Sequence, residues 1–94
     1  MAPEQIRGDP VDVRTDLYSL GCVLYELVTR RGPFGGGSSI HHHLKSPPDD
    51  PRSFRRDVPL KLAEVILRCL EKDPERRPRS AREVGKALAA VATV

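Results

Sequence analysis

The chain has 94 residues, of which 38% are hydrophobic, 31% charged and 4% aromatic, with a formal net charge of +3 and a pI of about 9.2. That length holds one domain at most, and a chain so short buries only roughly 60–65% of its unfolded surface, so its stability margin is thin. Long apolar segments exclude disorder for the whole chain, no apolar run reaches the ~18–20 residues that a bilayer span needs, and the basic residues lie scattered between acids as solvated faces and local ion pairs, without the clustering and docking motif of a nucleic-acid binder.

The opening, MAPEQIRG, has neither the basic start nor the apolar run of a secretion signal. It predicts a short helix over residues 2–7. Pro3 suits a first turn, Glu4 favours the positive end of the helix dipole, and Gly8 can close it. Residues 9–14, DPVDVR, read as a loop, because Pro10 pushes Asp9 out of helical geometry.

The strongest segment follows, TDLYSLGCVLYELVTR over 15–30. Thr15 or Asp16 is positioned to cap it. Leu17, Leu20, Leu24, Leu27 and Val28 form one helical stripe, and Tyr18, Cys22, Val23 and Tyr25 cover much of the remaining circumference. A helix that is hydrophobic nearly all round belongs in the middle of a larger body. The other helices are too small to wrap it, so the sequence suggests further covering elements.

RGPFGGG, residues 31–37, is a loop. Ser38 or Ser39 can cap a short helix, SSIHHHLK, that stops before Pro47. Residues 46–59 carry prolines at 47, 48, 51 and 59 and read as an extended surface connection. Pro59 then introduces a helix over 60–71, with the stripe Leu62, Ala63, Ile66, Leu67 and Leu70 and with Val65 and Cys69 flanking it. Asp73-Pro74 ends it. Ser80-Ala81-Arg82-Glu83 is an S-x-x-E capping box that announces the last helix, whose apolar face is Val84, Ala87, Leu88 and Val91. The expected fold is all-α, with five helices, no strand and no internal repeat.

Three places invite a functional reading. Gly35-Gly36-Gly37-Ser38-Ser39 precedes a helix, where backbone N–H groups could cradle a phosphate. No strand leads into it and the P-loop pattern is absent, so it reads as a flexible turn. In His41-His42-His43, consecutive helical residues point roughly 100° apart, which is poor spacing for one metal; ligands on helices favour i, i+4. EKDPERRP, residues 71–78, packs a helix stop, a turn and two arginines into eight residues. It is either surface charge or the place where one arginine turns inward to a remote acid. Cys22 and Cys69 sit in apolar helical runs outside any C-x-x-C and read as reduced core thiols, consistent with a cytoplasmic location. The residues themselves define no nucleophile–His–acid set, metal-ligand constellation or paired carboxylates.

Ala2-Pro3-Glu4, then Asp16-x-Tyr18-Ser19-Leu20-Gly21, then Leu70-x-x-Asp73-Pro74-x-x-Arg77-Pro78, in that order and spacing, resemble the C-terminal part of the large lobe of a bacterial-type serine/threonine protein kinase. The resemblance covers essentially the whole chain. It implies a partial kinase domain over residues 1–94, from the A-P-E motif that follows the activation loop to the end of the C-lobe, with Met1 an internal position of the full-length kinase. It also implies roles. Glu4 pairs with Arg77 in a buried ion pair that ties the substrate-side loop to the helical base. Asp16 holds the catalytic loop by its backbone. The apolar helix is the lobe's central buried helix. The short helix over 38–45, with Ile40, His43 and Leu44, is a docking place for substrates or regulators.

The Gly-rich nucleotide loop, the strand lysine, the H-R-D catalytic loop and the D-F-G magnesium motif of that family are absent from the sequence. The resemblance therefore implies no catalytic, cofactor-binding or metal residue in this chain, with ATP and magnesium belonging to the full-length parent. The parent would transfer the γ-phosphate of ATP to protein serine or threonine, and these residues alone would be inactive. The expected partners are protein substrates or the other part of the kinase, with self-association through the uncovered central helix; no nucleic acid and no membrane segment is expected. The alternative is a stand-alone helical protein-interaction module derived from a kinase lobe.

Overall fold

The computed structural model describes residues 2–33, 43 and 47–92, with side chains to residue 90. Among them the chain forms four α-helices and two short 3-10 turns, and no strand. The helices are α1 (Pro3–Arg7), α2 (Val13–Thr29), α3 (Leu60–Cys69) and α4 (Ala81–Ala92); the turns are Pro51–Ser53 and Pro74–Arg76. The fifth expected helix, over 38–45, lies outside the described residues except for His43, which is helical and buried.

The local chemistry explains each boundary. In α1, Pro3 takes the first turn and the Gln5 side chain accepts from the Ala2 N–H at 2.9 Å. Gly8 closes it at φ 76°, a left-handed position that glycine adopts without a Cβ clash. Helix α2 starts two residues earlier than the sequence suggested, and neither Thr15 nor Asp16 is its cap. Asp12 is: its carboxylate accepts from the Arg14 N–H at 2.8 Å, and Thr15 Oγ1 accepts from the Asp12 N–H at 3.3 Å. This exchange has the form of a capping box with threonine as the returning partner. The expected extended connection over 46–59 contains the Pro51–Ser53 turn, because Asp50 accepts from the Arg52 N–H at 2.9 Å and Pro51 presets the first φ. At α4 the expected box is half made. Ser80 Oγ accepts from the Glu83 N–H at 3.2 Å, while Glu83 reaches back to the Arg79 N–H at 2.9 Å instead of to Ser80.

The core forms where α2, α3 and α4 meet. Ala2, Tyr18, Tyr25, Ile66 and Leu70 make one buried cluster, with Cys22, Leu24, Val28 and Leu62 packed against it. Leu17, Cys69 and Val84 make a second, flanked by Val65 and Leu88. The buried face of α2 is therefore rotated from the expected stripe. Tyr18, Gly21 and Tyr25 face inward, whereas Leu20, Val23 and Leu27 remain 36%, 54% and 69% exposed. Aromatic area decides the rotation, since two tyrosines bury more surface than two leucines. Tyr25 also reaches across to the connection, its hydroxyl donating to the Asp49 carbonyl at 2.8 Å. Both thiols are free, Cys22 half-buried and Cys69 buried. Among the described residues no helix is long and apolar enough to cross a membrane.

Gly21 sets the approach of α2 to α3. A Cβ at this position would lie 2.8 Å from the Cys69 Cβ and 3.2 Å from Leu70 side-chain carbons. Alanine improves helix propensity by up to about 1 kcal/mol, but overpacking a core costs about 1–3 kcal/mol, so the clash wins. Gly21→Ala is expected to lower the urea midpoint of the chain; a midpoint equal to or above that of the parent would show that the two helices part without penalty.

Candidate functional site

The most developed polar site joins the start of the chain to the turn before α4. Glu4, on α1, is 3% exposed; Arg77, just after the Pro74–Arg76 turn, is 1% exposed. The guanidinium meets the carboxylate as a two-pronged fork, Nη1 on Oε2 at 2.6 Å and Nη2 on Oε1 at 2.9 Å. The remaining donors of Arg77 are also engaged. Nε donates to the Glu71 carbonyl at 2.8 Å, Nη1 to the Arg14 carbonyl at 3.0 Å and Nη2 to the Lys72 carbonyl at 3.3 Å. A guanidinium has five N–H donors, and all five have acceptors here. Such complete satisfaction is what makes burial of the charge tolerable.

Local structure delivers both groups. Asp73 caps the Pro74–Arg76 turn by accepting from the Glu75 N–H at 3.0 Å, and the turn aims the next residue, Arg77, inward. Glu4 lies in the first turn of α1, held there by the Ala2–Gln5 contact. Thr15 Oγ1 donates to Glu4 Oε2 at 2.8 Å, tying α1 to the first turn of α2. Three positions further along α2, on the same face, the Tyr18 ring packs under the Arg77 guanidinium, with Cζ 4.9 Å from the ring centroid. Thr15 is thus more than a residue near the helix start: it is a partner of Glu4, a contact that no local sequence signal marks.

The electrostatics follow from these contacts. Burial alone would raise the Glu4 pKa. The hydrogen bonds from Arg77, its own backbone and Thr15, with the charge of Arg77, outweigh burial and bring the carboxyl from its ordinary 4.5 to about 2. Burial raises the Tyr18 hydroxyl well above the usual tyrosine range. Nearby, Lys72 Nζ donates to Tyr18 Oη at 3.4 Å, and His43 Nδ1 lies 3.0 Å from the same oxygen.

The other expected site residues fall elsewhere. Asp16 is exposed in the first turn of α2, and no hydrogen bond or ion pair from the described residues reaches its carboxylate. The structure does not bring it to Glu4 and Arg77. The ring of His43 is buried against Tyr18, while Ile40 and Leu44 lie outside the described residues. On the surface, Arg7–Asp9, Arg14–Asp12, Arg14–Glu75, Arg55–Asp57 and Arg68–Glu83 form local ion pairs. Among the described residues no three His, Cys, Asp or Glu side chains gather where a metal could sit.

The sequence is similar to known proteins over most of its length. The family model for the protein kinase domain matches residues 1–87. The chain is 42% identical over 87 residues to a probable serine/threonine-protein kinase of Clostridium acetobutylicum, covering 89% of this chain and 13% of that protein. It is 42% identical to the serine/threonine-protein kinase PknB of Mycobacterium leprae, with 89% and 14% covered, and 41% identical to a probable serine/threonine-protein kinase of Streptomyces coelicolor, with 89% and 13% covered. The chain thus spans roughly one seventh of the length of these relatives.

Two expectations follow from the buried pair. Arg77→Ala leaves a buried carboxylate and three carbonyls without their donor, and is expected to cost about 3–5 kcal/mol, whereas exposed Asp16→Asn should change stability by less than about 0.5 kcal/mol. Chemical denaturation of both variants checks the contrast; an unchanged curve for Arg77→Ala would remove the pair from the account. The second concerns pH. The folded pKa of Glu4 is depressed, so its contribution is fully present above about 4.5 and is lost as pH falls towards about 2. Denaturation midpoints between pH 5 and pH 2 should fall more steeply for the parent chain than for Glu4→Gln; parallel slopes would mean that another group carries the acid sensitivity.

Proposed function

Since the chain belongs to the protein kinase family, we propose that it forms the part of the helical large lobe running from the A-P-E motif to the lobe's end, within a serine/threonine kinase that transfers the γ-phosphate of ATP to protein hydroxyls. The observation that carries this reading is the Glu4–Arg77 fork, 73 residues apart in sequence and closed at 2.6 and 2.9 Å. In that role the pair clamps the segment on which a protein substrate rests to the base of the lobe, and α2 is the helix around which the lobe is built. Asp16 then serves a catalytic loop supplied by other residues, and the 38–45 segment, with Ile40, His43 and Leu44, serves protein docking.

The residues present do not fit ATP or magnesium. The sequence lacks the glycine-rich loop, the strand lysine and the D-F-G motif that hold them. No step of phosphoryl transfer is assigned to these side chains, and the chain alone is inactive. What these residues contribute is a scaffold, cytoplasmic in location, whose partners are protein substrates and the remaining kinase elements.

A second reading has its own observation. Leu20, Val23 and Leu27 leave an apolar stripe exposed along α2. A stand-alone interaction module, or a self-associating chain, would use that stripe.

An immunoblot of source cells with an antibody to this sequence, coupled to a radiolabelled-ATP assay of the immunoprecipitate, separates the two. A band far above 10.4 kDa that phosphorylates protein serine or threonine is expected. A single band at 10.4 kDa with no incorporated phosphate would overturn the kinase reading and favour the module.

A further inference from the structure

Arginines collect at the end of α2 far from the Glu4–Arg77 fork. Arg30 and Arg31 follow the last turn of that helix, roughly 24 Å along its axis from Arg14. Arg52, Arg55 and Arg56 lie in and just after the Pro51–Ser53 turn, and all five are exposed. Two contacts join the sets. The Arg31 guanidinium stacks on the exposed Phe54 ring, with Cζ 4.1 Å from its centroid, and the Tyr25 hydroxyl donates to the Asp49 carbonyl at 2.8 Å. Arg55 is paired with Asp57 at 2.9 Å, whereas none of the ion pairs among the described residues involves Arg30, Arg31, Arg52 or Arg56.

Arg30 has a second peculiarity. Among the described residues it alone has a positive φ without being glycine, at 60°. Its N–H closes α2 on the Glu26 carbonyl at 2.7 Å, a task that glycine performs without Cβ crowding. A side chain kept at a position that favours glycine points to a use for that side chain. Beside the arginines a groove of about 290 Å³ opens between Leu27 and Val28 of α2 and Val58, Pro59 and Leu62 at the start of α3, with Arg55 on its wall.

We propose that this end of the molecule docks an acidic protein segment carrying one bulky aliphatic side chain, with carboxylates on Arg30, Arg52 and Arg56 and the aliphatic group in the groove. An unpaired guanidinium offers two parallel N–H groups that match a carboxylate. The stack of Arg31 on Phe54 holds one of the cations in place before binding, which lowers the entropy lost on docking. Acids interrupt the patch: Glu26 and Asp49 are exposed, Asp50 accepts from the Arg52 N–H, and Asp57 holds Arg55. A nucleic acid, with phosphates at even spacing, would meet those acids as well as the arginines. A peptide can set its carboxylates against the arginines and leave uncharged residues opposite the acids.

The test titrates the full chain into a short fluorescent peptide of aspartate, glutamate and serine with one central leucine, read by anisotropy in low-salt buffer. Saturable binding that weakens as salt is added is expected. Arg30→Gly should weaken it about two- to fivefold while raising the thermal midpoint, because the end of α2 relaxes as the cation is lost. The double variant Arg52→Gln with Arg56→Gln should also weaken it, whereas Arg79→Gln with Arg82→Gln, an equal loss of charge elsewhere, should leave it unchanged. Replacing the leucine of the peptide by serine should weaken binding too. Absence of saturable binding would overturn the proposal. So would equal losses in the two double variants, since net charge alone would then explain the affinity, an affinity indifferent to the leucine, or tighter binding of a single-stranded RNA of the same charge.

Discussion

A buried charge has to be matched donor for acceptor, and the fork between Glu4 and Arg77 meets that constraint across almost the whole chain. Its partners come from α1, from the first turn of α2 through Thr15 and the Arg14 carbonyl, and from the segment after α3 through the carbonyls of Glu71 and Lys72. Three stretches of the chain are therefore fixed by one guanidinium. A buried ion pair is weak evidence for net stability, because its desolvation penalty is comparable to its attraction. Its value here is positional. The short helix α1 has only five residues, too few to persist on propensity alone, and it is held where it is by a carboxylate that has to meet its partner.

The apolar core adds the stability that the fork does not. Tyr18 and Tyr25 sit on α2 opposite Ile66 and Leu70, and Gly21 between them lets α3 come close at Cys69. Tyr18 also joins the two systems, since its ring lies under Arg77 while its edge packs in the core. Helix α2 thus has one face committed to this chain and one face of leucine and valine turned away from it. A helix with two apolar faces is suited to lie between layers and not at a surface.

Much of this was legible in the sequence. Helix periods, the proline and glycine punctuation and the capping signals placed α1, α3 and α4 to within two residues, because each rests on local chemistry. The three motifs gave the family, since order and spacing are properties of the sequence itself. The inward turn of Arg77 was open on composition alone, as Arg76 and Arg77 differ only in which side of a 3-10 turn they occupy. The rotation of α2 was not legible. On a helix that is apolar nearly all round, periodicity does not select a face, and the choice falls to partners such as Ile66 and Leu70 that only folding brings near. Asp12 lies two residues after Pro10, in a stretch whose sequence reads as a loop, so nothing local marks it as the cap. The bond from Thr15 to Glu4 joins positions eleven residues apart, beyond the reach of any local rule.

The two thiols add a chemical property to this architecture. Burial pushes Cys69 up to about 11 and raises Cys22 in the same direction. Oxidants and electrophiles react with the thiolate, and at neutral pH these side chains carry almost none of it. Cys69 is further shielded by α2, which lies against it at the bare backbone of Gly21. Both thiols should therefore resist oxidation at neutral pH and stay available as apolar packing groups between the helices.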